Sequence, residues 1–338
     1  MYKRQTFNER KKAVLKNFSV EVHALEGEEI FACIETGIAE GTVSRHVGIS
    51  DFLDRPLPDI ESFKTVLNPE QIKKDHNRSF FETHLEEIPE RLLDILNQYA
   101  PEEDELPDFA VRKSLLRRRF GSRLEGIERI VLAGTGSSYY MGTIAKNFCQ
   151  TIMPGVDVLM VRPGEIDSPE IFFAPESDLV ILLSWSSTTA DMVRLAKKLS
   201  ALKIVMVAVT EKVYADMALI VAKSGGVISS LSQEEVTVSG VKSTVCVLFS
   251  LMLFCLWIAA RIGRKEAARA YIQRMHRIPH ILALTLEDES LRRFSKEITG
   301  RYAKSIANVV ISALHSDQAG GEIALKLEEN TWRAMGKA

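Results

Sequence analysis

The sequence has no cysteine pattern that would bind zinc or form a redox pair. Its four cysteines, Cys33, Cys149, Cys246 and Cys255, make no C-x-x-C and no zinc spacing. Most sit in apolar runs, where cysteine behaves as a small buried hydrophobe, and a reducing cytoplasm fits them. No metal or organic cofactor is therefore expected. An excess of one charge is missing too. Lys and Arg total 43 against 45 Asp and Glu, a formal net charge of −2. No overall field draws such a chain to nucleic acid or to an anionic membrane. The opening stretch, MYKRQTFNERKK, has no apolar core and is not a secretion signal. Long apolar runs are scarce. The one membrane suspect, Val245–Ala260 (VCVLFSLMLFCLWIAA), falls short of the roughly 20 residues a spanning helix needs. Lys242, Arg261 and Arg264 flank it. It reads as a core or interface helix, apolar on every face, and a homodimer is expected from it.

What is present has a clear order. The 338 residues suffice for two ordinary domains. Residues 13–50 alternate weakly through Val20, Val22, Ala24, Ile30, Ala32 and Ile34, which predicts short antiparallel strands, the tail of a domain. Pro56, Pro58 and Pro69 among charges mark 51–77 as a linker. Residues 78–125 form a helical lead-in. Phe81, Leu85, Ile88, Leu92 and Ile95 share one helical face there, and a basic helix at Val111–Phe120 follows.

Over residues 126–262 the pattern changes. Apolar runs at Ile130–Ala133, Val156–Val161, Leu179–Leu183, Ile204–Val209 and Leu219–Ala222 alternate with helix-like stretches. This predicts an α/β domain, a doubly wound parallel five-stranded sheet with flanking helices. Residues 263–304 read as a helical connector. Residues 305–338 read as the beginning of a second such domain, with a run at Ala307–Ser312 and then a helix.

Two loops carry the chemistry. Val131–Gly142, VLAGTGSSYYMG, runs from a strand into a helix. It lacks the third glycine of a dinucleotide fingerprint, since Tyr139 stands there, and Arg162 rather than an acid ends the second strand. No Gly-Lys-Ser/Thr follows, so it is not a Walker loop. The third strand ends in LLSWSSTTADM, with Ser184, Ser186, Ser187, Thr188 and Thr189. Both loops lie at carboxyl ends of parallel strands, and both enter a helix N-terminus. Free N–H groups and the helix dipole favour an anion at such a place. Hydroxyls add directed donors, which suits a small phosphomonoester. N-capping would use one hydroxyl per helix, not five in six residues.

These loops, with two later motifs, resemble the sugar isomerase (SIS) domain family, and within it the isomerase half of the glutamine–fructose-6-phosphate aminotransferases. The family's G-T-S-Y-x-x-G is similar to Gly136, Ser137, Ser138, Tyr139 and Gly142. Its S-Q-S-G-E-T-A-D is similar to Ser184, Ser186, Thr189, Ala190 and Asp191. Its E-x-x-V-A-S-T-K corresponds to Glu235, Val238, Ser239, Gly240, Val241 and Lys242, and its E-G-A-L-K-L-K-E to Glu322, Ala324, Leu325, Lys326, Leu327 and Glu329. The resemblance covers about residues 76–338.

It implies a flavodoxin-like fold and a hexose phosphate ligand, fructose 6-phosphate first among them. Ser137, Ser138, Ser184, Ser186 and Thr189 would hold the phosphate, with Trp185 in the place of a sugar-contacting amide. Val238 and Ser239 would meet the sugar chain. Glu329 would move a proton between C1 and C2, with Lys326 beside it. Ser187 and Thr188 also depart from the motif, as does Val241, so a fructosamine-phosphate deglycase or an amino-sugar-phosphate isomerase or deaminase is an alternative. A sugar-sensing transcription regulator is another, with GTVSRHVGIS (Gly41–Ser50) as a recognition helix beside the basic cluster Arg112, Lys113 and Arg117–Arg119. No glutaminase cysteine opens the sequence, and it reads as a fragment. The segment at 305–338, one strand and one helix without a sheet, leads to an expectation of binding without turnover.

Overall fold

The structure is a computed structural model that describes residues 19–23, 30–39, 42–51, 62–66, 79–237, 239–302 and 317–330. It divides into two compact units, Met1–His76 and Asn77–Ala338. In the first unit, β2 (Ile30–Ala39) pairs antiparallel with β3 (Thr42–Asp51), and β1 (Ser19–His23) with β4 (Ser62–Val66). Two sequence expectations change here. GTVSRHVGIS lies within β3 apart from its first residue, so it is no recognition helix. β4 also falls inside the stretch read as a linker. Its sequence, SFKTV, is strand-forming, but the prolines on either side hide it.

The second unit is built on five parallel strands in the order β6-β5-β7-β8-β9. They are β5 (Arg129–Ala133), β6 (Asp157–Val161), β7 (Asp178–Leu183), β8 (Val205–Thr210) and β9 (Gly226–Ser229). Central strands of such a sheet are apolar on both sides, and the runs divide accordingly. Ile130, Leu132, Leu179, Ile181, Val205 and Val207 pack into one core, with the helices α1 (Phe80–Tyr99), α3 (Ser137–Ile152), α7 (Lys242–Arg261) and α8 (Lys265–Met275). Val131, Val180, Leu182, Met206 and Ala208 pack into the other, under α5 (Ala190–Ala201) and α6 (Asp216–Ala222). Four further helices lie among the described residues up to 302: α2 (Lys113–Phe120), α4 (Pro169–Phe172), α9 (Ile278–Glu287) and α10 (Glu289–Tyr302).

The fifth strand is not where the apolar run placed it. Leu219–Ala222 belongs to α6, and the strand is β9. Met217, Ala218 and Val221 are buried while Leu219 is 49% exposed, a helical spacing rather than a strand's. β9 is short and opens on glycine. Gly226 has φ +124°, and a Cβ there would lie 3.0 Å from the Val111 Cα, so no apolar residue could mark the strand's start.

α7 is the long apolar run. In the 18-residue stretch that would qualify as a membrane span, 83% of the residues are buried within this one chain. The sheet, α1, α3 and α8 cover it, so it needs no second copy to hide its surface.

The expected strand at Ala307–Ser312 lies outside the described residues. The helix after it, α11 (Asp317–Asn330), is not unsupported. It packs on α3, with Gly321 against the Tyr140 ring; a Cβ there would come within 2.4 Å of a ring carbon. The expectation of a helix with nothing to fix it is thereby corrected: α3 supplies a surface for it to pack on.

Candidate functional site

The chain runs from β5 out to β6, then back across β5 to β7. The strand order therefore reverses between β5 and β7, and ligands bind outside the carboxyl ends of the strands at such a reversal. The two hydroxyl loops follow β5 and β7. They are neighbours because those strands pair, Ile130 opposite Leu179 and Ala133 opposite Leu182.

The first loop turns at Gly136, φ +56°, a conformation that favours glycine. α3 then starts with Ser137 and Ser138, and no side chain caps it. The second loop is wound on its own hydroxyls. Ser184 Oγ accepts the Ser187 N–H at 3.2 Å and lies 3.5 Å from Thr189 Oγ1. Ser186 Oγ accepts the Thr188 N–H at 3.3 Å. α5 begins without a side-chain cap as well. N-capping therefore does not account for these hydroxyls; in α3 the Ser138 and Tyr139 N–H groups turn back to the Thr135 and Gly136 carbonyls at 3.2 and 3.0 Å. Ser187 holds φ +54°, a left-handed conformation in a residue that pays a steric penalty for it. Its buried hydroxyl bonds Thr210 Oγ1 at 2.7 Å, which helps to hold the turn.

α11 brings a charge to this edge. The Lys326 ammonium donates to Ser137 Oγ at 2.7 Å and to Glu329 Oε2 at 2.9 Å, and lies 3.3 Å from Glu322 Oε1. The spacings of three and four residues put all three side chains on one helical face. All three are largely shielded from water. Burial pushes the Glu322 carboxyl above its ordinary range, and Lys326 pulls it back only in part. A cation at the N-terminus of α3 can stabilise negative charge that develops on a bound molecule. A carboxylate beside it can take a proton from a bound molecule.

The remaining expected residues are placed less simply. Trp185 is turned toward the loop after β9. Its Nε1–H donates to Ser232 Oγ at 3.1 Å, and Lys212 Nζ sits 5.1 Å from its ring centre. Val238 lies outside the described residues. Ser239 is 1% exposed, and its hydroxyl has no hydrogen-bond partner among the described residues. Buried polar atoms are seldom left so.

Several residues of this region escaped sequence reasoning. Glu235 caps α7, accepting the N–H groups of Val241, Lys242 and Ser243 at 2.7, 2.9 and 2.9 Å. Its place in the third motif was the only signal. Glu211 gathers the Ser230 hydroxyl and the Ser232 N–H, and Arg162 stacks 3.8 Å from the Tyr139 ring centre. Nothing local in the sequence announces these contacts.

No family model matches the chain, and no curated protein does. Solved structures share the fold. The C-terminal domain of glucosamine-fructose-6-phosphate aminotransferase from Francisella tularensis is similar over 78% of this chain and 70% of its own, with a TM-score of 0.64 and 20% identity. Tagatose-6-phosphate ketose/aldose isomerase from Escherichia coli is similar over 74% of this chain and 64% of its own, with a TM-score of 0.50 and 18% identity. At such identities the likeness is one of architecture: a five-stranded parallel sheet flanked by helices.

Proposed function

We propose that this chain binds a hexose phosphate at the β5–β7 edge and moves a proton between its first two carbons, as a ketose/aldose isomerase does. One observation carries the reading. Lys326 lies 189 residues beyond Ser137 in the chain, yet its ammonium reaches that hydroxyl, with Glu329 at 2.9 Å. A folded chain has no packing need to bring a cation and a carboxylate to an uncapped helix N-terminus.

The phosphate sits on the hydroxyls of Ser137, Ser138, Ser184, Ser186 and Thr189, at the N-terminal ends of α3 and α5. Ser239 meets the sugar chain. Glu329 takes the proton from the carbon beside the carbonyl and returns it to the neighbouring carbon. Lys326 stabilises the enediolate that forms between these steps. The finer reading is an aminotransferase that converts fructose 6-phosphate and glutamine to glucosamine 6-phosphate and glutamate. The four motifs support it, as does the likeness in fold to the aminotransferase domain.

The test incubates the purified chain with fructose 6-phosphate in deuterated water. Deuterium is expected at C1, and Glu329→Gln is expected to abolish it. Binding without exchange would leave a sugar-phosphate sensor. An absence of binding would remove the proposal altogether.

A further inference from the structure

We infer that His84 and Glu87 on α1, together with Lys242 at the start of α7, are positioning residues that hold residues 234–237 and 239–241 in register with the sugar end of the site. The inference rests on the sugar-phosphate reading above.

The geometry starts at a backbone amide. The Val236 N–H donates to His84 Nε2 at 3.1 Å. That nitrogen must then carry the lone pair, so the ring hydrogen sits on Nδ1, which faces Glu87 Oε2 at 3.3 Å. Glu87 Oε2 also accepts from Lys242 Nζ at 2.5 Å, and the same ammonium donates to the Glu234 carbonyl at 2.9 Å. One carboxylate thus organises two side chains, and each of them grips a different backbone group of one segment. The far end of that segment is fixed by Glu235, which caps α7.

The arrangement is costly for a merely structural device. His84 is 2% exposed and Lys242 1%. Burying an ammonium is expensive, and apolar residues of similar volume commonly pack such a place at least as stably. Burial alone would raise the Glu87 carboxyl, yet its bonds to Lys242 and His84 hold it below the ordinary value. The group is kept charged and kept in place.

The segment thus fixed borders the loops that follow β7 and β8. Glu234 forms an ion pair with Lys212, which follows β8, and Ser232, just before the segment, receives the Trp185 indole N–H from the loop after β7. Between the two pinned ends stands Ser239, with its buried and unpartnered hydroxyl. A hydroxyl with no hydrogen-bond partner among the described residues can offer its full capacity to a ligand, provided that the backbone carrying it does not move.

His84→Ala removes the acceptor for Val236, and His84→Gln restores one. Lys242→Met combined with Glu87→Gln removes the ion pair without leaving either charge alone, and serves if His84→Ala does not fold. Each variant is measured by calorimetry against fructose 6-phosphate and against inorganic phosphate. Amide exchange of the ligand-free proteins is followed in parallel.

Positioning predicts about a tenfold loss for fructose 6-phosphate, unchanged affinity for inorganic phosphate, recovery in His84→Gln, and faster exchange confined to the 234–243 region. Equal affinity for the sugar phosphate in folded His84→Ala overturns the inference. So does an equal loss for both ligands, which would mark a general structural role. Wild-type protein that binds neither ligand overturns the functional reading, and this inference with it.

Discussion

Ser184 and Thr189 show how far single residues can be read. Their hydroxyls lie 3.5 Å apart in the turn that leads into α5, and neither caps that helix. If they hold a phosphate, Ser184→Ala with Thr189→Val should weaken sugar-phosphate binding by about 1–3 kcal/mol for each bond to the anion that is lost. Calorimetry checks it, and unchanged affinity would place the phosphate elsewhere. Trp185 teaches the opposite lesson. Its position in the motif points to the sugar, but its indole nitrogen is already engaged by Ser232. A side chain's direction is set by neighbours that a linear motif does not contain.

At the scale of elements, α11 is the decisive piece. It delivers Lys326 and Glu329 to Ser137, and its docking depends on close approach at Gly321, where the Tyr140 ring leaves no space for a methyl group. Gly321→Ala should push α11 off α3. Deuterium exchange into fructose 6-phosphate is then expected to fall at least about tenfold, while affinity for inorganic phosphate, held by the two loops, stays within a factor of about three. Full exchange activity in a folded Gly321→Ala protein would show that this docking is not needed. The β9 correction belongs to the same scale. A strand of four residues beginning at glycine carries too little pattern to compete with the apolar run beside it, and the run Leu219–Ala222 is short enough to fit either period.

At the scale of the whole second unit, α7 ties the layers together. Trp257 stacks on Phe254 with ring centres 5.3 Å apart, meets Phe109 edge-on at 6.5 Å, and carries the Arg261 guanidinium 3.7 Å from its ring centre. Trp257→Ala should cost about 3–5 kcal/mol, because the tightly packed surroundings cannot close on the space. Urea denaturation measures it, and a loss under about 1 kcal/mol would mean that α7 is far less central than its burial implies.

The sequence by itself determined the local periods and the local loops. Runs at Ile130, Leu179 and Ile204 marked parallel strands, and a hydroxyl-rich loop follows the first and the third strand of the series. Such features depend on residues a few positions apart, so the linear pattern contains them. Tertiary structure alone decided that α11 rests on α3, that Trp185 turns to Ser232, and that His84 accepts a bond from Val236, 152 residues away. These contacts join chain segments with no shared periodicity. Which of them form is settled only when the helices pack against one another and exclude water, because shape and burial then choose each polar group's partner.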